Sequence, residues 1–253
     1  MEETSGIRKP ADIEKRSFEI IRAECKRPHK EDTAPVLYRV IHTTADFDYE
    51  ENLIFSEGVM EQALCAIRQG TTFITDTNMG LSGINKAALK KMNCEAVCFM
   101  ADEEVARLAK ERGTTRAAVS MEMAAKRYPN GIYVIGNAPT ALIRLHELMT
   151  ESEIRARERS EDKRESKHGE DSPEENDLFQ GGCHLKDKQK MRQGNAFRPS
   201  LLIGVPVGFV NVIEAKELIL QTDVPHIVAR GRKGGSNVAA AICNALLYAA
   251  GGR

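Results

Sequence analysis

The sequence predicts an α/β fold in which a mainly parallel sheet is covered by helices on both faces. Five short apolar segments have the composition of strands, and helical patterns follow them; the segments are residues 72–76, 95–100, 131–137, 201–205 and 226–230. Strands that are apolar along almost their whole length are typical of parallel sheets buried on both sides.

The helical patterns begin with residues that favour helix starts. Asp102 precedes a pattern that continues through Val105, Leu108 and Ala109. Pro139 stands in the first turn of the next helix, where its missing N–H costs nothing, and an apolar face follows at residues 141, 142, 145 and 148. The last helix is predicted over residues 237–250.

Composition excludes several classes of protein. The 253 residues carry a formal charge of −1, so the overall charge gives no argument for nucleic acid or an anionic membrane as a partner. No apolar run reaches the ~20 residues of a membrane span, and the polar amino terminus lacks the apolar core of a secretory signal. The six cysteines form no CxxC pair and no zinc-finger spacing, so we expect reduced thiols in the cytoplasm.

Residues 151–198 do not fit the alternating pattern. They are dense in mixed charge and poor in apolar side chains, and cannot bury enough surface to offset the conformational entropy lost on folding. We expect the first part to extend the preceding helix and the rest to be a mobile, charged insertion. The chain is then a single domain over residues 1–253 with this insertion within it.

Several predicted strands end in a polar or glycine-rich turn. Ligands bind at the carboxyl ends of strands in open α/β sheets. We therefore expect Asp76, Asn137, the loop after Val205 and residues 230–236 to lie at one edge of the sheet.

Residues 230–236, RGRKGGS, form the most informative of these turns. Glycines let the backbone approach a ligand, and three cations before a helix start favour an anion. The loop matches neither the Walker motif nor the dinucleotide fingerprint, so it predicts an anionic ligand without naming a nucleotide. A solvated basic turn is the alternative. Residues 204–210, GVPVGFV, suit the face of a flat hydrophobic ligand or a plain core turn.

Two further side chains are candidates for chemistry. His42 follows an apolar pair and precedes a polar turn in VIHTTADFD, residues 40–48. A histidine can donate a proton near neutral pH, although a structural histidine would have the same spacing. Arg116, after Thr115, is either surface decoration or a clamp for a carboxylate.

Together these motifs resemble those of the precorrin-8X methylmutases, the corrin-ring isomerases of cobalamin biosynthesis. The resemblance covers nearly the whole chain except the charged segment. It rests on IEKRSFEII (13–21), VIHTTADFD (40–48), TDT (75–77) with Met79, LSGINK (81–86), TR (115–116), GNAPTAL (136–142), GVPVGFV (204–210) and RGRKGGS (230–236).

The resemblance implies a fold and a reaction. The fold would be a flavodoxin-like, three-layer α/β/α sandwich with a mainly parallel sheet, usually in a homodimer. The reaction would be a 1,5-sigmatropic shift of a methyl group from carbon 11 to carbon 12 of the corrin ring. His42 takes the position of the family's catalytic histidine, which protonates or hydrogen-bonds the ring, and Arg116 that of its active-site arginine.

The family has one branch for the cobalt-loaded ring and one for the metal-free ring. HTTADFD and TDTNMGLSGINK are similar to the cobalt branch, which implies cobalt-precorrin-8 as substrate and cobyrinate as product. Metal-free precorrin-8X, giving hydrogenobyrinate, is the alternative. No cofactor and no enzyme-held metal are implied, because cobalt arrives inside the substrate.

A corrinoid substrate is flat and carries many carboxylates, so the resemblance also assigns binding residues. Arginines would meet the carboxylates, apolar side chains would lie against the ring, and polar side chains would complete the site. The set is Arg16, Ser17, Asp76, Arg116, Asn137, Val207, Phe209, Arg230, Arg232 and Ser236. A homodimer and a handoff of product to the next pathway enzyme are the expected protein contacts.

Two other functions remain open from the sequence. A corrinoid carrier would keep the binding pocket but catalyse no reaction. A change in the absorbance spectrum of the substrate on incubation with the protein would exclude a carrier. An unrelated α/β protein would use the glycine-rich loop for a nucleotide phosphate, and titration with ATP or NAD tests that reading.

Deleting residues 160–193 tests whether the charged insertion is separate from the fold. We expect soluble protein with an unchanged thermal unfolding midpoint, because the segment contributes few apolar residues to a core. Loss of soluble protein would show that the segment is structural.

Overall fold

The computed structural model describes residues 9–165 and 196–252, and over these residues it contains one mixed sheet of six strands. The strand order is β1-β6-β5-β4-β2-β3. Strands β2 to β6 run parallel to their neighbours, and β1 pairs antiparallel with β6 at one edge. The strands are β1 Leu53–Phe55, β2 Thr72–Thr75, β3 Glu95–Val97, β4 Ile132–Ile135, β5 Leu201–Gly204 and β6 His226–Ala229.

Helices connect the strands. Before β2 they are α1 Pro10–Glu24, α2 Ala34–Thr44, α3 Tyr49–Asn52 and α4 Val59–Arg68. Between β2 and β4 they are α5 Asn78–Gly83, α6 Lys86–Lys91, α7 Glu103–Arg112 and α8 Arg116–Arg127. The last three are α9 Pro139–Glu165, α10 Val212–Leu220 and α11 Ser236–Leu247, after which Tyr248–Gly252 form a π-helical turn.

Strand side chains alternate between two hydrophobic clusters. In β4, Ile132 and Val134 join one cluster, and Tyr133 and Ile135 join the other. The first cluster, which we call cluster 1, takes in residues of α1, α2, α4, α6 and α11. Cluster 2 takes in residues of α7, α8, α9 and α10. Because successive strand side chains point to opposite faces, both faces of the sheet are covered by helices.

The sequence-based elements are largely confirmed. All five predicted strands are present, although β3 ends at Val97, and Asp102 caps α7 by accepting a hydrogen bond from the Glu104 amide at 2.9 Å. Strand β1 is not predicted by the sequence, because its three residues are too few to show a period. The first part of the charged segment does extend α9, as far as Glu165. Residues 166–195, the rest of the predicted insertion except its last three residues, lie outside the described residues.

None of the described helices combines the length and the apolar character that crossing a bilayer would require.

Candidate functional site

The loops that follow four parallel strands meet at one edge of the sheet, which we call the rim. The Thr77 and Ser236 hydroxyls are 2.8 Å apart, and the Gly235 amide donates to the Val205 carbonyl at 2.8 Å. A Cβ added to Gly136 would lie 2.8 Å from the Cα of Ser236, so the loops after β4 and β6 touch along their backbones. The predicted convergence of these loops is confirmed.

Asp76 organises the rim from inside the protein. Its side chain is 1% exposed, and its carboxylate accepts backbone hydrogen bonds from Gly136, Asn137 and Ala138 at 2.9, 2.8 and 2.7 Å. These amides precede α9, so a residue 60 positions earlier caps that helix. Burial raises the pKa of Asp76, and the three N–H donors counter the rise. Direct contact of Asp76 with a substrate stays a prediction, and this burial does not support it.

Lys216 fixes the glycine-rich loop between Arg230 and Ser236. Its fully buried ammonium donates to the carbonyls of Gly231 and Lys233 at 2.7 and 2.8 Å. Burial lowers the pKa of Lys216 to about 8. Lys216 is not among the predicted site residues. Its spacing could have identified it as a buried lysine, because it lies on the apolar face of α10, four residues after Val212 and three before Ile219.

An apolar patch stands exposed on the rim. Phe209 is 84% exposed and Val210 75%, and Val207 and Met79 are also exposed. The Arg232 guanidinium lies over the Phe209 ring, with its carbon 5.5 Å from the ring centroid. Exposed apolar residues gathered at the carboxyl ends of strands mark a binding surface. Val207, Phe209 and Arg232, predicted to contact a flat anionic ligand, are therefore available to it.

His42 lies in the last turn of α2, on the cluster 1 side of the sheet. It is exposed, and its imidazole stacks on the Phe18 ring of α1 with centroids 5.3 Å apart and an interplanar angle of 24°. The chain after α2 reaches the rim, where Asp46 and Asp48 accept hydrogen bonds from Lys233 at 2.6 and 2.5 Å. The Lys233 ammonium lowers the pKa of Asp46. The packing thus places His42 within one helical turn of the rim.

Arg16 and Ser17 lie on α1 immediately before Phe18. Arg16 is exposed and pairs with Glu19 at 3.2 Å, and the Ser17 hydroxyl donates to the Ile13 carbonyl at 2.9 Å. Phe18 was not among the predicted site residues, although it is the side chain that supports His42. A cavity of about 810 Å³ opens between α1 and α2 and is lined by Phe18, but none of its lining residues belongs to the rim loops.

The remaining predicted residues are spread along the rim. Arg116 begins α8, whose cap residue Thr115 donates from its hydroxyl to the Thr140 hydroxyl of α9 at 3.0 Å. Asn137 is exposed, and Arg230 is exposed and paired with Glu217 at 3.1 Å. Because α8 belongs to cluster 2, Arg116 and His42 lie on opposite faces of the sheet.

The rim itself does not supply a metal centre from its described side chains. Within the described part of the chain, one group brings three metal-ligand atoms together: Cys25, His29 and Glu50, which lie at the end of α1, before α2, and in α3.

A family model, individual relatives and a solved structure all match this chain to the same family. The family model described as precorrin-8X methylmutase matches residues 12–157 and 185–249. Residues 158–184, inside the charged segment, fall between the two matched stretches.

Individual relatives match over almost their whole length. The cobalt-precorrin-8 methylmutase of Salmonella typhimurium is 37% identical over 249 residues, covering 96% of each chain. The precorrin-8X methylmutase of Pseudomonas aeruginosa is 30% identical and covers 95% of this chain and 96% of that protein. The crystal structure of a precorrin-8X methylmutase from Thermus thermophilus superposes with a TM-score of 0.71 at 31% identity, covering 94% of this chain and 96% of that one.

Asp76→Asn tests whether the carboxylate holds the rim together. The amide keeps one oxygen but turns N–H groups toward backbone donors, so we expect the free energy of unfolding to fall by about 1–3 kcal/mol. Chemical denaturation measures this loss. Asp102→Asn is the matched control, because asparagine caps a helix as well as aspartate does. Equal stability of both variants and the wild type would contradict the role of Asp76.

Proposed function

Because this chain belongs to the precorrin-8X methylmutase family, we propose that it converts cobalt-precorrin-8 to cobyrinate by moving a methyl group from carbon 11 to carbon 12. The Salmonella typhimurium relative, named for the cobalt substrate, is more similar to this chain than the Pseudomonas aeruginosa relative named for precorrin-8X. Conversion of metal-free precorrin-8X to hydrogenobyrinate is the second candidate.

The observation that carries the proposal is the exposed apolar patch beside cations and the nearby imidazole. Phe209 and Val210 offer an exposed apolar surface for the face of a macrocycle, and the Arg232 guanidinium lies over the Phe209 ring. Guanidinium groups bind carboxylates through paired hydrogen bonds, so Arg232, Arg230 and Arg116 suit the acetate and propionate arms. A flat ligand with a charged edge fits this combination better than a compact phosphate does.

The positions of His42 and Arg116 restrict how the ring lies. They stand on opposite faces of the sheet, and the loops of the rim separate them. We propose that a substrate contacting both side chains crosses the rim above residues 205–210 and 230–236. The acid role proposed for His42 requires the edge at carbons 11 and 12 to face this side chain.

His42 acts as the acid in this proposal. Protonation of the ring, or a hydrogen bond to it, withdraws electron density from the conjugated system beside the migrating methyl group and eases its movement. Phe18 stacks on the imidazole and thereby restricts the orientation of the ring plane. The methyl group leaves one ring carbon and joins its neighbour, and the reaction needs no oxidant or reductant.

Further parts of the proposal concern fold, cofactors and assembly. The parallel strands follow the order β3-β2-β4-β5-β6, equivalent to the 2-1-3-4-5 order of flavodoxin-like folds, which supports a three-layer sandwich. We propose that the migration needs no resident cofactor, because it is internal to the substrate, and that any cobalt enters with the ring. We also propose a cytoplasmic homodimer that hands its product to the next enzyme, since the product retains the substrate's arms and should bind tightly.

Incubating the protein with each precursor tests the assignment. Methyl migration changes the conjugation of the ring, so absorbance follows conversion. We expect turnover of cobalt-precorrin-8 in preference to precorrin-8X. Binding of both rings without any spectral change would favour a carrier.

His42→Ala should abolish turnover while retaining affinity for the product. Loss of a general acid costs roughly 10²–10⁴-fold in rate. The rim loops do not depend on the imidazole, so product titration should give an unchanged Kd. His146→Ala, a partly buried histidine of α9, is the control and should keep full activity. Full activity of His42→Ala would refute the acid role.

Arg116→Ala should weaken binding of the substrate by roughly 1.5–3 kcal/mol, because a charged hydrogen bond to a carboxylate is lost. The measurement is KM together with product Kd. The control is Arg107→Ala on the neighbouring α7, whose guanidinium is exposed and pairs with Glu111. An affinity and rate equal to those of the control would place Arg116 outside the site.

A further inference from the structure

We propose that Cys25, His29 and Glu50 form a zinc site that fastens α1 to α3. The proposed methyl migration does not use these residues, and the family resemblance implied no metal held by the protein. The three side chains come from the C-cap of α1, the connection to α2, and α3. Their ligand atoms, the Cys25 sulfur, an imidazole nitrogen and a carboxylate oxygen, all lie within 4.8 Å of one another.

The spacing of the His29 and Glu50 ligand atoms suits a tetrahedral ion. Two ligands that are each ~2.0–2.1 Å from zinc in tetrahedral geometry stand about 3.3–3.4 Å apart. The His29 Nε2 and Glu50 Oε2 atoms are 3.4 Å apart. Thiolate, imidazole and carboxylate are all zinc ligands, and three protein ligands leave one position for water.

Two polar groups of the cluster, the Glu50 carboxylate and the His29 Nε2 atom, are buried and could share a cation. The Glu50 side chain is 5% exposed, and the backbone amide of Lys26 donates to its Oε2 atom at 3.0 Å. The His29 Nε2 atom is buried and makes no hydrogen bond, although it faces that carboxylate. Buried polar atoms are nearly always satisfied, so an unsatisfied nitrogen aimed at a buried carboxylate marks a place for a shared partner. A zinc ion would satisfy both groups.

A zinc ion at this site would connect the carboxyl end of α1 to α3. Of the 15 residues of α1, only Ile21 is buried, so hydrophobic packing holds this helix weakly. The same helix carries Phe18, which supports the imidazole of His42. A zinc ion at Cys25 would fix the end of α1 against α3 and restrict the motion of Phe18. Binding replaces the thiol proton of Cys25 with a zinc–sulfur bond and releases that proton to solvent.

Metal titration of the full-length protein tests the site without any substrate, so its outcome is separate from that of the methylmutase assay. Protein stripped with a chelator is titrated with zinc against a chromophoric competitor, and with cobalt(II) to detect thiolate-to-cobalt charge transfer. We expect one zinc per chain, a charge-transfer band, and a higher unfolding temperature with zinc. An absent band in the wild type overturns the proposal, whether or not any variant folds.

Matched variants assign the ligands. Cys25→Ser and His29→Gln should lose the band and weaken zinc binding by roughly 100-fold or more. Cys65→Ser should keep both, because that cysteine of α4 lies outside the cluster and accepts a hydrogen bond from Gln69. Cys183→Ser should also keep both.

Two results would count against the assignment. Zinc binding by Cys25→Ser equal to that of Cys65→Ser would overturn it. So would loss of zinc binding in Cys183→Ser alone. In either case the His29 Nε2 atom faces the Glu50 carboxylate without a shared zinc ion.

Discussion

The loop from Arg230 to Ser236 is held from beneath by the buried ammonium of Lys216, and the arrangement of the rim depends on that support. The ammonium satisfies two carbonyls of a loop whose glycines offer no side chains to pack. Burying a cation is costly, as the lowered pKa of Lys216 records, and the two hydrogen bonds offset part of that cost. The loop can then face outward with its arginines exposed, where a carboxylated ligand can reach them.

Two side chains of this loop connect it to neighbouring parts of the rim. Lys233 connects it to Asp46 and Asp48, which follow α2 four and six residues after His42. Ser236 connects it to Thr77, directly after the carboxylate that caps α9. Exposed ion pairs contribute little to the free energy of folding. The ion pairs of Lys233 therefore position the loop relative to the chain after α2 more than they stabilise the protein. The packing of α2 against α11 in cluster 1 supplies the stability that keeps the imidazole near the rim.

The sequence predicts the parts of this arrangement that have a local pattern. Apolar strands, helix starts and the glycine-rich turns after β4, β5 and β6 can be located from spacing alone, and the parallel sheet then implies that they converge. Residues that act across long separations cannot be found in that way. The carboxylate of Asp76 has the pattern of a rim ligand, yet its partners are amides 60 to 62 positions later. Cys25 and Glu50 are likewise brought together by tertiary packing. The stacking of Phe18 on His42 depends on how α1 crosses α2, which no local pattern specifies.

A crystal structure with the corrinoid product bound would decide where the ring lies. The account predicts that the ring crosses the rim over Phe209, with its carboxylates at Arg116 and Arg232. The edge at carbon 12 should face His42. The distance from an imidazole nitrogen to the nearest atom of the corrin ring, or to one bridging water, should be about 2.6–3.2 Å. A product seated in the cavity between α1 and α2, with the rim bare and His42 turned away from the ring, would contradict the account.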